Sequence, residues 1–115
     1  MLNQTDLRKE IYTFFKHVPK KYKVSKVILF GSYARGNADQ HSDIDLAIFS
    51  PSVRSEAEAF KALTDFVAAT KFCHVPIEPL LYPQRYYNHY EPQGFIDEIM
   101  RYGKEIKLNL KSAKG

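Results

Sequence analysis

Four consecutive apolar residues, Val27-Ile28-Leu29-Phe30, run directly into Gly31-Ser32. So short a run, with no polar alternate positions, predicts a strand covered on both faces. A strand of that kind needs a layer on each side, which points to an α/β or α+β chain with a small sheet between helices. The rest of the sequence fits that frame. Residues 5–18 place Leu7, Ile11, Phe14, Phe15 and Val18 at helical spacing, with Thr5 as the expected cap and Pro19 after the end. Residues 43–49 read as a second strand stopped by Pro51. Ser55 with Glu58 forms a capping-box pattern for a helix expected to bury Phe60, Leu63 and Val67 and to run to about Lys71. Ile77 to Tyr82 reads as a third, short strand between prolines. A last helix is expected to hold Pro92 in its first turn, to turn Phe95, Ile96, Ile99 and Met100 inward, and to end at Gly103. Ile106, Leu108 and Leu110 alternate with Lys107, Asn109 and Lys111, a strand pattern in the tail.

A length of 115 residues fits one domain, 1–115, and 44% apolar against 26% charged residues is a globular balance rather than a disordered one. The net charge of +4 suits a phosphate-bearing ligand, but the basic residues are dispersed and a solvated basic face is the plainer reading. The single cysteine, Cys73, allows no intrachain disulfide and is expected to pack near a helix end rather than act as a nucleophile. No run is apolar enough for a membrane span, and the start lacks the basic-then-apolar pattern of a signal peptide, so a cytoplasmic protein is expected.

The chemistry is concentrated between Gly31 and Asp45. Asp43 and Asp45 are two apart on a strand, so their side chains leave one face while Ile44, Leu46 and Ile48 point to a hydrophobic layer on the other. Adjacent carboxylates repel each other unless a cation offsets the charge. Mg²⁺ takes hard oxygen ligands and is commonly held by one or two carboxylates plus substrate phosphates, whereas zinc would want a Cys/His cluster that is missing here. His41 lies nearby in sequence, and a lone loop histidine is expected to be solvated. Gly31 lets a phosphate approach the main chain closely, Ser32 adds a hydroxyl, and Arg35 on the following turn is within reach of a phosphate or a carboxylate. Glu78 is a charged residue inside an otherwise apolar strand, and a buried carboxylate needs a partner. If its strand pairs with the second, Glu78 faces Asp43 and Asp45 as a third metal ligand and a general base for an incoming hydroxyl.

Gly31-Ser32, ten intervening residues, then Asp43-Ile44-Asp45, resembles the signature of the minimal nucleotidyltransferases of the DNA polymerase beta-like superfamily. The segment from Ile96 to Gly103 is similar to the last helix of that family. The resemblance implies a small mixed sheet flanked by helices and transfer of a nucleoside monophosphate, AMP from ATP, to an acceptor hydroxyl. Carried over by position, Gly31 and Ser32 hold the triphosphate and Asp43, Asp45 and Glu78 bind Mg²⁺. Glu78 stands where Asp is commoner. Stand-alone members of this size resemble the antitoxin of a toxin–antitoxin pair, which adenylylates a tyrosine of a HEPN-family RNase toxin. Two alternatives stay open. One is an enzyme acting on a small hydroxylated molecule such as an aminoglycoside. The other is a non-catalytic module that masks its partner, with Tyr82, Tyr86, Tyr87 and Tyr90 either anchoring an interface or covering a sheet edge. Nucleic-acid binding lacks any supporting motif.

Overall fold

A computed structural model of the chain describes residues 2–108. Four strands form one mixed sheet in the order β3-β2-β1-β4, with β1 at Lys26–Phe30, β2 at Ile44–Ser50, β3 at Ile77–Pro83 and β4 at Lys104–Glu105. β1 runs antiparallel to β2 and to β4, while β2 and β3 are parallel. A parallel pair needs a crossover, and α3, Glu56–Ala69, supplies it. β3 is an edge strand, which is why it tolerates Pro79 and Pro83.

Alternation sends successive residues of each strand to opposite faces. On one face Val27, Leu29, Ile44, Leu46, Ile48, Ile77 and Leu81 pack under α1, Gln4–His17, and α3. On the other, Ile28, Ala47 and Phe49 pack against Ile99 of α4, Phe95–Tyr102. β1 is therefore covered on both sides, as its apolar run required. Among the described residues no helix is long and apolar enough to cross a membrane.

Several local expectations are corrected. Asn3, not Thr5, caps α1, its side chain accepting from the Asp6 N–H at 2.8 Å. In α3 the buried residues are Ala59, Ala62, Phe66 and Ala69, whereas Phe60 is 79% and Val67 49% exposed. The helix is rotated so that alanines lie over the sheet, allowing close approach; Phe66 fills the depth against Phe14 and Tyr22, and Leu63, expected to be buried, packs partly against the same core. Ser55 caps α3 through the Glu58 N–H, but the Glu58 carboxylate reaches the Arg54 N–H instead of closing the box. Pro92 precedes α4, which is capped at Gly94, and Phe95 is exposed rather than inward. Gly103 does end α4, for a packing reason: a Cβ there would lie 2.4 Å from the Ile28 Cγ2 and 2.9 Å from the Leu29 carbonyl oxygen. The tail pairs earlier than its alternation suggested, at Lys104–Glu105, with the Ile106 N–H still donating to the Val27 carbonyl at 2.9 Å. Leu110 lies outside the described residues.

Candidate active site

β1 ends where β2 and β3 begin. The antiparallel register sets Phe30 beside Asp45, and the parallel register sets Asp45 beside Glu78. Partners in register share a face, so both carboxylates leave the sheet on the α4 side. Glu78 is exposed, because β3 is the edge; the strand does not bury it as its apolar neighbours suggested. Asp43 sits just before β2, and the loop that delivers it is pinned by Asp39: its Oδ1 accepts from the His41 N–H at 2.8 Å, and its N–H donates to the Ser42 Oγ at 2.8 Å. His41 itself is exposed.

At the end of β1 the chain turns into the short helix α2, Gly31–Arg35. Gly31 has φ +71°, a left-handed conformation, and a Cβ there would lie 2.1 Å from the Asp45 Oδ2. Glycine is therefore required twice, by backbone conformation and by the carboxylate against it. No side chain caps the start of α2, whose first turn carries Ser32 and whose end carries the exposed Arg35.

The electrostatics follow from this crowding. Burial pushes the Asp45 carboxyl up to about 6, helped by a hydrogen bond shared with Glu78 and by the charges of Glu78 and Asp43, while Arg35 opposes the rise. Three charged groups, Glu78, Asp43 and Arg35, thus act on the one carboxylate. An anion held in this state is one that a cation would stabilise. The donors are hard oxygens, which suits Mg²⁺ better than zinc. Among the described residues no group of three or more His, Cys, Asp or Glu side chains stands close enough together to hold a metal ion by itself. Two in-register carboxylates, with Asp43 just before β2, suit only a cation that would complete its shell with phosphate oxygens and water.

Other groups fall outside this cluster. Cys73 follows the 3₁₀ turn Thr70–Phe72 and packs against the core, with burial and the nearby Glu10 pushing its thiol up to about 11, which leaves it unreactive near neutrality. The tyrosines divide. Tyr82 stacks on Phe49 with ring centres 5.4 Å apart, and Tyr87 meets Phe49 edge-on at 5.5 Å, so both help cover the sheet. Tyr86 and Tyr90 line an open groove of about 850 Å³, which Tyr82 also borders. Sequence reasoning missed Glu10. Its buried carboxylate accepts from the backbone N–H groups of His74 and Val75, just ahead of β3, and so ties α1 to the approach of Glu78. The available signal was an acid between Leu7, Ile11 and Phe14 on the apolar face of α1.

The family model described as "Nucleotidyltransferase domain" matches residues 11–110. A Methanocaldococcus jannaschii protein, "Putative protein adenylyltransferase MJ0141", is 32% identical over 104 residues, spanning 88% of this chain and 92% of that protein. A second from the same organism, "Putative protein adenylyltransferase MJ1379", is 51% identical over 41 residues, 35% of this chain and 41% of that protein. In fold, the chain is similar to one in "Crystal structure of the toxin-antitoxin with AMP-PNP", with a TM-score of 0.52 at 17% identity, covering 98% of this chain and 79% of that one. With a family model matched over most of its length and a relative aligned nearly end to end, this chain belongs to the nucleotidyltransferase domain family and is an enzyme of that class.

Proposed function

We propose that this nucleotidyltransferase transfers AMP from ATP to a hydroxyl of a partner protein, a tyrosine of a HEPN-family RNase toxin, and thereby acts as the antitoxin of a toxin–antitoxin pair in the cytoplasm. The observation that carries the catalytic part is the in-register pairing of Asp45 with Glu78, with the Asp45 carboxylate against Gly31. The named relatives support a protein acceptor, and the fold likeness to a toxin–antitoxin chain with an ATP analogue supports the partner and the nucleotide.

In this reading Asp43, Asp45 and Glu78 would hold Mg²⁺, which would offset the negative charge of the transferring group. Gly31 admits the triphosphate close to the main chain, and Ser32 and Arg35 offer a hydroxyl and a guanidinium to its oxygens. The acceptor oxygen attacks the α-phosphorus as the bond to the β-phosphate oxygen breaks. Pyrophosphate leaves, and the hydroxyl proton passes to the Glu78 carboxylate. The protein's contribution is alignment and fixed charge rather than a covalent intermediate.

The test is transfer of label from ATP radiolabelled at the α-phosphate, with Mg²⁺ and the partner. The double variant Asp43→Asn/Asp45→Asn is expected to lose about 10³-fold or more in rate while keeping its fold by circular dichroism. Undiminished labelling by that variant would overturn the assignment. Full neutralisation of the partner by it, without labelling, would favour a masking module instead.

A further inference from the structure

The open groove between the end of β3 and the start of α4 has a chemistry of its own. Tyr82 stands one residue before the end of β3, Tyr86 and Tyr90 follow it, and Phe95 opens α4, giving four aromatic walls. Two of these rings are not used up by the core: Tyr90 is 38% and Phe95 52% exposed. The groove also lies on the catalytic side of the sheet. The register that pairs Asp45 with Glu78 pairs Phe49 with Tyr82, and residues two and four apart on a strand share a face. Phe30, the partner of Asp45 across β1, meets Phe95 edge-on with ring centres 5.9 Å apart. Tyr82 stands four residues along β3 from Glu78, so an extended occupant of the groove would span roughly 13 Å of strand to reach the carboxylates.

The groove's charge runs against that of the chain. Net charge is +4 overall, yet the ionised side chains lining the groove are Glu56 and Glu91. The Glu56 charge reaches Tyr82, whose hydroxyl is raised by burial first and by Glu56 second. Arg85 stands over the Tyr86 ring at 5.3 Å, but its Nη1 donates to the Arg54 carbonyl at 2.7 Å and it does not line the groove. Such walls repel a triphosphate and attract cationic groups. The volume of about 850 Å³ exceeds what one aromatic side chain fills and suits several residues of extended chain.

We propose that this groove seats the acceptor segment of the partner protein: an extended stretch bearing the reactive hydroxyl, with lysine or arginine beside it facing Glu56 and Glu91 and apolar or aromatic groups against Tyr86, Tyr90 and Phe95. The proposal rests on the reading above that the acceptor is a protein hydroxyl.

The test measures binding of two fluorescent tyrosine peptides to the full chain, with Mg²⁺ and AMP-PNP present. One peptide has lysines and arginines around the tyrosine, the other aspartates and glutamates. The basic peptide is expected to bind about tenfold more tightly. General attraction to a chain of charge +4 would give the reverse order. Glu56→Gln/Glu91→Gln should erase the preference, and Tyr90→Ala/Phe95→Ala should weaken binding of the basic peptide, both without changing calorimetric affinity for AMP-PNP. Equal binding of the two peptides, binding of neither, a preference that survives Glu56→Gln/Glu91→Gln, or displacement of the peptide by AMP-PNP would each overturn the proposal. The last result would give the groove to the nucleotide. Failure of the label-transfer reaction with the peptide preference intact would instead strike at the proposed chemistry and leave the groove standing.

Discussion

The two faces of the sheet are made by the same strands and put to opposite uses. Under α1 and α3, alternate residues of β1, β2 and β3 join Ile11, Phe14, Phe15 and Phe66 in a continuous dry layer. On the α4 side the buried set among the described residues is Ile28, Ala47, Phe49 and Ile99, and the rest of that face carries Asp45, Glu78 and an aromatic groove. Period-two alternation lets one strand serve both without compromise: Ile44 and Leu46 bracket Asp45 in sequence yet are completely buried on the far side. The thick face supplies the stability that lets the thin face keep open space and crowded anions.

The comparison breaks if the thin face proves to be the stabilising one. Phe66→Ala empties the centre of the thick layer, between Phe14 and Tyr22, and is expected to cost about 3–5 kcal/mol. For a domain of this size that is a large part of the total stability, and the loss would be read from urea midpoints. A Phe66→Ala midpoint within error of the parent would mean that the two faces had been ranked wrongly.

The junction of the faces sharpens the comparison. Gly31→Ala introduces a Cβ at a φ of +71°, 2.1 Å from the position of the Asp45 Oδ2. The backbone strain is expected to cost about 1–3 kcal/mol. The carboxylate must move, and a displacement of that order is expected to lower transfer by about 10²-fold. Rate and stability are thus predicted to separate: a larger functional loss than in Phe66→Ala measured well below its melting point, for a smaller loss of stability. Retained transfer in Gly31→Ala would mean that the contact between Gly31 and Asp45 is not part of the working site.

These contrasts also mark what could be read from the sequence. The strand into Gly31-Ser32, the alternation of Asp45 with Ile44 and Leu46, and an acid-bearing third strand are legible, because each is a local pattern of period two or a local glycine, whereas Asp43, expected on the strand, falls just before it. That β3 lies parallel to β2 with Glu78 beside Asp45 was a condition in the sequence reading, since register belongs to the crossover and not to either strand. The burial of Glu78 was misjudged for the same reason: edge position is a property of the sheet. The groove was half legible. The tyrosines were conspicuous, but Glu56 and Glu91 join them only after α3 and α4 are docked. α3 was misread through its alanines. Ala59, Ala62, Phe66 and Ala69 form the buried stripe; Leu63 packs partly against the core beside it, and weighting by size added the exposed Phe60 and Val67.

That misreading leads to the smallest effect. Phe60 looks like a core residue by type and sits at helical spacing with Leu63 and Val67, yet 79% of it faces solvent. Burial, not hydrophobicity, sets the cost of removing a side chain, because an exposed ring leaves no cavity and forfeits little transfer free energy. Phe60→Ser is therefore expected to move stability by no more than about 0.5 kcal/mol and to leave label transfer unchanged. Phe66→Ala, six positions along the same helix, is its internal control. Parallel urea titrations of the two variants read the rotation of α3 directly. A loss at Phe60 matching that at Phe66 would mean that the helix presents its Phe60 side to the sheet. The docking of Glu56 at the groove would then have to be redrawn with it.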